Sequence, residues 1–452
     1  MALPWHEMTA LALGTAIADG AIDPLALTEH YLARIESKDA DHTVYIRTTP
    51  DRARTEAAAA ALRAKSGLRR SPLDGVPISW KDLYDTAGTV TTGGSPLLKD
   101  RVPTADAKVL ARATRAGMIC LGKTTMTELA YSGLGINPSM GTPINPFDAK
   151  TDRVPGGSSS GAAASVARGL AAAGIGSDTG GSVRIPAAWH GLVGLKTSVG
   201  AIPLDGVLPL WPGVDSVGPL VHDVADAAAL FAVLAARPAA DLKGANLPGR
   251  RLLMADNFFW EDLQDGVETA ATAAVAKLEA AGATIERRRI KALDGLLELG
   301  MGVASMMSSD AYAVWGETLE SNPDVVYRPV LERFRMGCNQ DAVEMVRIKR
   351  RLAELALDYF DETAGFDATL APTTPITPAP LDALVGGGDL YLKTNMMSLR
   401  NTRVGNVFNL SALTIPCGTA DGLPVGLMVM TNPGRENALL RLGTAIETRL
   451  GA

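Results

Sequence analysis

An alternation of small-residue helices with short apolar runs is the feature that most constrains how this chain folds. The segment 105–117, "ADAKVLARATRAG", carries helix formers and closes on Gly117. The run 118–124, "MICLGKT", follows it as a buried strand. Segment 164–174, "ASVARGLAAAG", repeats the helix-then-glycine pattern, and 175–179, "IGSDT", repeats the short strand. Further helices are expected at 224–237 and 267–283. Further strands are expected at 251–255, 284–290, 368–372, 413–418 and 425–430. Helices alternating with short, uniformly apolar strands predict an α/β fold whose sheet is covered by helices on both faces. Residues 1–65 read as a helical N-terminal segment, from "LTEHYLARIESK" and "RTEAAAAALRAK". The loop Arg237–Arg250, "RPAADLKGANLPGR", is the one linker-like zone. The alternation resumes after it, so 1–452 is expected to be a single domain.

The balance of charge narrows the functions. A net charge of −6 with no long basic run argues against a nucleic-acid partner. Cys120, Cys338 and Cys417 give neither a disulfide framework nor zinc spacing, which fits a reducing compartment. The N-terminus lacks the basic region of a signal peptide, and no apolar run is long enough to span a bilayer. A cytoplasmic protein, monomeric or homodimeric and acting on a small molecule away from membranes, is the expectation.

The stretch Pro155–Ala187, "PGGSSSGAAASVARGLAAAGIGSDTGGSVRIPA", places hydroxyls at both ends of a small-residue helix. Ser158, Ser159 and Ser160 read first as an N-cap. Ser182 lies on a glycine turn just past a strand. There, successive N–H groups can point one way, as an acyl-transfer nucleophile requires beside it. A histidine base is hard to find. His190 is the only histidine near Ser182, and a helix-turn between them carries it away. The surroundings of Ser182 are also not a G-x-S-x-G elbow. A desolvated lysine can accept a proton instead, and Lys81 in "GVPISWKD" ends an apolar run. Pairing of Lys81 with Asp82 or Asp85 at the surface is the alternative.

Together, "GVPISWKD" and Gly156–Ala187 resemble the amidase signature family. "GKTTMTELAYSGLGINPSMGTPINP", "GLVGLKTSVGAIPLDGVLPL", "DATLAPTTPITPAP" and "LTIPCGTADGLPVGLMVM" extend the likeness over most of the chain. The resemblance implies a large mixed β-sheet core and a Ser-cisSer-Lys triad of Lys81, Ser158 and Ser182, with a cis peptide before Ser158. The interval between the two serines is the family's usual one. It further implies an oxyanion hole from the N–H groups of Thr179, Gly180, Gly181 and Ser182, and no metal or cofactor. Asp178 and Arg184 read as a supporting pair. The chain departs from the family's frequent "GLKPT" at Gly194–Ser198.

The implied reaction is cleavage of an acyl C–N bond in an amide, anilide or carbamate. Candidate substrate-binding residues come from two segments: Met126, Tyr131, Ser132 and Gly133 from 126–140, and Met306 and Met307 from 300–315. The methionines suggest an apolar or aryl substrate. Arg400 and Arg403, if they bind a substrate carboxylate, point instead to a small acidic amide. Two other functions stay open. One is the acyl-transfer component of an amidotransferase, although no match is seen to the glutamine-recognition segments of such proteins. The other is a non-catalytic binding protein, against which the intact triad argues.

Overall fold

The computed structural model describes residues 3–451. Eleven strands form one mixed sheet: β1 (Tyr45–Thr48), β2 (Pro77–Lys81), β3 (Ile119–Thr124), β4 (Ala173–Asp178), β5 (Val193–Lys196), β6 (Ser216–Val221), β7 (Arg251–Ala255), β8 (Thr284–Arg288), β9 (Ala368–Pro372), β10 (Ser411–Ala420) and β11 (Leu423–Thr431). Their order is β1-β3-β2-β4-β6-β5-β10-β11-β9-β7-β8. The strands pair in parallel at β3-β2-β4 and at β9-β7-β8. Between these two zones, and at the β1 edge, the pairing is antiparallel. The central strands β2, β3, β4 and β6 are buried along their whole length, as strands covered on both faces must be.

The expected strands at 118–124, 175–179, 251–255, 284–290, 368–372, 413–418 and 425–430 all find their place. The apolar pattern does not mark β5 and β6, which are short and glycine-containing. Gly218 of β6 lies where a Cβ would meet the Leu195 carbonyl of β5 at 1.7 Å, so close backbone approach explains the residue. The helix expected over 164–174 is shorter and starts earlier, at Ser160–Ala167. Gly169, with φ of 63°, turns the chain after it, and Gly174 belongs to β4.

The N-terminal segment is also corrected. Helices Ala10–Ala18, Pro24–Lys38 and Pro50–Lys65 are interrupted by β1. The Asp39 carboxylate accepts the N–H groups of Val44 and Tyr45 at 2.9 and 2.7 Å. This turns the chain out of the second helix and lays β1 against β3. The linker-like zone 237–250 is a loop that delivers β7 into the same sheet.

Candidate active site

Lys81 ends β2, the middle strand of the parallel trio, and its side chain is completely enclosed. Its Nζ donates to Ser158 Oγ at 2.7 Å and to Ser177 Oγ at 2.8 Å. Both partners are hydroxyls, so neither fixes a positive charge. Burial drives the Lys81 ammonium down to about 7, against the opposing pull of Asp178 and Asp215. No surface pairing with Asp82 or Asp85 occurs. Asp82 is buried and paired with Lys123 at 3.1 Å, and Asp85 pairs with Arg101 at 2.6 Å.

Ser158 is delivered by a cis Gly157–Ser158 peptide at the head of the helix Ser160–Ala167. The loop is tied on both sides. Gly157 N–H donates to the Gly133 carbonyl at 2.8 Å, and the Ser158 carbonyl accepts Thr127 N–H at 3.1 Å. Gly156 has φ of 79° and sits where a Cβ would press on Trp189 at 2.8 Å. The N-cap reading of the serine cluster is corrected here. Ser159 occupies the cap position without a side-chain cap bond, and its hydroxyl donates to the Ser177 carbonyl at 3.2 Å. Ser158 Oγ is engaged with Lys81 instead.

Ser182 lies on the turn between β4 and the short helix Arg184–Trp189. Its carbonyl accepts the Ser159 N–H at 3.2 Å, which holds the two serine segments together. Among the described residues the Ser182 hydroxyl makes no protein hydrogen bond, and Ser182 lines a tight cavity. The turn is shaped by Asp178. Its carboxylate accepts Gly181 N–H at 2.8 Å and Val183 N–H at 3.1 Å. It also receives the Arg184 fork at 3.0 and 2.9 Å, and Asn406 braces both side chains. Burial works to raise the Asp178 carboxyl. The Arg184 charge and hydrogen bonds, with Lys196 and Asn406, overcome that and hold it well below the usual carboxylate range. Asp178 and Arg184 are thus the expected supporting pair. The same geometry removes Gly181 from the expected oxyanion donors, because its N–H is spent on Asp178. Thr179, Gly180 and Ser182 remain, and the first two line the cavity with Ser182. The Thr179 hydroxyl donates to Asp215 at 2.5 Å, which anchors the turn from the other side.

Of the expected substrate-binding residues, Tyr131, Ser132 and Met307 line the cavity. Met126, Gly133 and Met306 are not among its walls. Met126 packs beneath Gly94. Gly133 is locked by its N–H on Asn395 Oδ1 at 2.8 Å. Met306 packs partly buried against the core. Across Thr179 and Leu210 lies a more apolar chamber of ≈ 220 Å³ that includes Leu83, Val207 and Leu208. Arg400 is committed to the Glu261 carbonyl at 2.6 Å and to Asn401, whereas Arg403 does line the cavity. His190 faces the Pro186 carbonyl at 2.9 Å, consistent with a structural role. The structure adds Ser177 and Arg333, which the sequence pattern does not single out. Ser177 has a signal, since it immediately precedes Asp178, the last residue of β4. Arg333 has none, sitting among the charges of "LERFRMG".

Among the described residues no group of three or more His, Cys, Asp or Glu is placed to hold a metal ion, and no helix is long and apolar enough to cross a membrane.

Comparison with known proteins gives a consistent picture. Residues 26–440 match the Amidase family. The 2-amino-5-chloromuconic acid deaminase of Comamonas testosteroni is 35% identical over 412 residues, covering 88% of this chain and 87% of its own. The A subunit of the glutamyl-tRNA(Gln) amidotransferase of Chloroflexus aggregans is 31% identical over 476 residues, covering 98% of this chain and 96% of its own. Among solved structures, an amidase superposes with a TM-score of 0.88 at 29% identity, covering 98% of this chain and 100% of its own. The peptide amidase from Stenotrophomonas maltophilia superposes with a TM-score of 0.83 at 26% identity, covering 99% of this chain and 98% of its own. With the family matched across most of its length and its fold shared with solved amidases, this chain belongs to the amidase family of C–N bond hydrolases.

Proposed function

We propose that the chain hydrolyses an acyl C–N bond of a small molecule through an acyl-enzyme on Ser182, with Ser158 and neutral Lys81 as the proton relay. The observation that carries this reading is the enclosed Lys81 Nζ at 2.7 Å from Ser158 Oγ. Ser182 Oγ attacks the carbonyl carbon. Its proton passes to Ser158 Oγ as the Ser158 proton passes to Lys81 Nζ. The carbonyl oxygen becomes an oxyanion facing the N–H groups of Thr179, Gly180 and Ser182. The Lys81 ammonium then returns a proton through Ser158 to the leaving nitrogen. The C–N bond breaks, the amine departs, and an ester remains on Ser182. Water, deprotonated by the same relay, cleaves that ester and releases the acid. A placed base contributes about 10²–10⁴-fold to such a reaction, and each oxyanion donor about 10²–10³-fold.

The relatives bracket the substrates without fixing one. The apolar chamber beyond Thr179 suits an apolar or aryl portion of an amide, anilide or carbamate. The 31% identity to an amidotransferase component, along 98% of this chain, favours a second reading as an acyl-transfer protein that depends on partners. The test is turnover of amides, anilides and carbamates by the purified chain alone, beside Ser182→Ala. Turnover by the wild type and its loss of about 10⁴-fold or more in the variant are expected. Full turnover by Ser182→Ala overturns the mechanism. Activity that appears only with partner proteins selects the second reading.

A further inference from the structure

The cavity over Ser182 carries a positive charge that the proton relay does not use. Arg333 lies on the helix Arg328–Arg335 and is only 8% exposed. Its guanidinium stacks 4.2 Å from the centre of the Tyr131 ring and donates through Nη1 to the Tyr131 carbonyl. Arg403 lies on the helix Asp389–Val407. Its Nε is buried without a hydrogen-bond partner, and its Nη2 reaches only the Met396 sulfur at 3.8 Å. Both arginines line the same cavity as Ser182. Among the described residues, no carboxylate forms an ion pair with either one. Arg184, buried nearby, shows the contrast: the Asp178 fork neutralises it at 2.9 Å.

Two desolvated guanidiniums sharing one cavity are unfavourable unless an anion joins them. The strain registers in Arg403, which burial and the neighbouring Arg333 charge push down to about 10. A guanidinium offers parallel donors that match a carboxylate edge to edge. Both arginines wall the same tight cavity as Ser182, so an anion held between them sits close to the nucleophile.

We propose that Arg333 and Arg403 form a carboxylate-binding subsite, so that the preferred substrate is a small linear amide carrying its own carboxylate a few bonds from the scissile carbonyl, as in the monoamides of short dicarboxylic acids. This rests on Ser182 being the nucleophile of the same cavity. It refines the apolar expectation: the walls over Ser182 select for charge, while the apolar chamber lies beyond Thr179.

The experiment compares kcat/KM for succinamate and glutaramate with that for neutral alkyl amides of matching length. The expected preference for the acidic amides is on the order of 10²-fold, the scale of a charge-assisted bidentate contact. Arg403→Met and Arg333→Met should each collapse that ratio, chiefly through KM, and Arg403→Lys should restore part of it. Equal rates on acidic and neutral amides in the wild type, or an unchanged ratio in both Met variants, overturns the proposal. Calorimetric binding of succinate to Ser182→Ala separates this proposal from the nucleophile assignment and needs no arginine variant to fold. Saturable succinate binding there supports the subsite whatever the variant's turnover. Its absence at millimolar succinate refutes the subsite and leaves the nucleophile assignment standing.

Discussion

If Lys81 is the base, the reaction must carry its titration. An ordinary lysine, with a pKa of about 10.4, is neutral in roughly one molecule in 2,500 at pH 7. With burial lowering Lys81 to about 7, half the molecules hold a neutral amine at that pH. The enclosure of Nζ therefore raises the population of usable base by about 10³-fold. The expected profile of log kcat/KM rises with unit slope up to about pH 7 and is level above it. The rate at pH 5 should be about one hundredth of the plateau. The assay is steady-state hydrolysis of an amide that does not itself titrate between pH 5 and 9. Lys196 is also pushed to about 7, by burial and the Arg184 charge, so the profile needs a control. The limb should survive in Lys196→Met. In Lys81→Met it should vanish, together with about 10²–10⁴-fold of activity. A limb near 4 would refute the reasoning and point to His190, whose ring burial lowers to about 4. Stability carries the same sign. Folded Lys81 binds fewer protons than unfolded lysine between about 7 and 10.4, so its contribution to stability grows as pH climbs through that window. Lys81→Met should make that slope shallower in a plot of denaturant midpoint against pH, leaving the share that Lys196 contributes in the same window.

Asp178→Asn strands the buried Arg184 charge and should cost about 3–5 kcal/mol, read as a lower denaturant midpoint. In the wild type the Asp178 contribution is present above the ordinary carboxylate range and is lost as pH falls far below it, so acid unfolding should begin earlier where other carboxylates have weakened first. Gly181 has φ of 136°, and a Cβ there would lie 2.1 Å from Thr402 Oγ1, so Gly181→Ala should shift the nucleophile turn and lower kcat by about 10²-fold. Ser177→Ala removes one of the two hydroxyls accepting from Lys81 Nζ and so disfavours the ammonium; the lower limb of the pH profile should move to lower pH, and an unmoved limb counts against Ser177 acting on Lys81.

Legibility in the sequence follows the range of the interactions. Ser182 stands out by its glycine turn after a strand and Lys81 by ending an apolar run, whereas Ser158 alone reads as a helix cap and joins them only through the resemblance to the amidase signature family. Most strands of the sheet announce themselves by apolar runs; the exceptions are the four-residue β1, hidden between helices, and β5 and β6, where Gly218 serves close backbone contact rather than side-chain packing. Arg333 is invisible because its meaning depends on Tyr131, far away along the chain, and on a missing counter-charge that only three dimensions reveal. Met126 and Gly133 mislead for the reverse reason. They lie near Tyr131 and Ser132 in the chain, yet the backbone turns them into the packing behind the cavity wall. Gly181 is misassigned because the short reach of Asp178 back to its N–H is a feature of the turn's shape, not of its residue types.

Lys81 and Ser158 are wholly enclosed, and Ser182 is 4% exposed. On the proposed chemistry the departing amine and the arriving water therefore share the little free space beside Ser182. While the amine stays there, water is kept from the ester, so hydrolysis waits on product release. Any amine concentrated enough to occupy that space competes with water for the ester on Ser182. Whether such a chain behaves as a hydrolase or as an acyl-transferase is then a question of occupancy beside one serine, decided by which nucleophile arrives next.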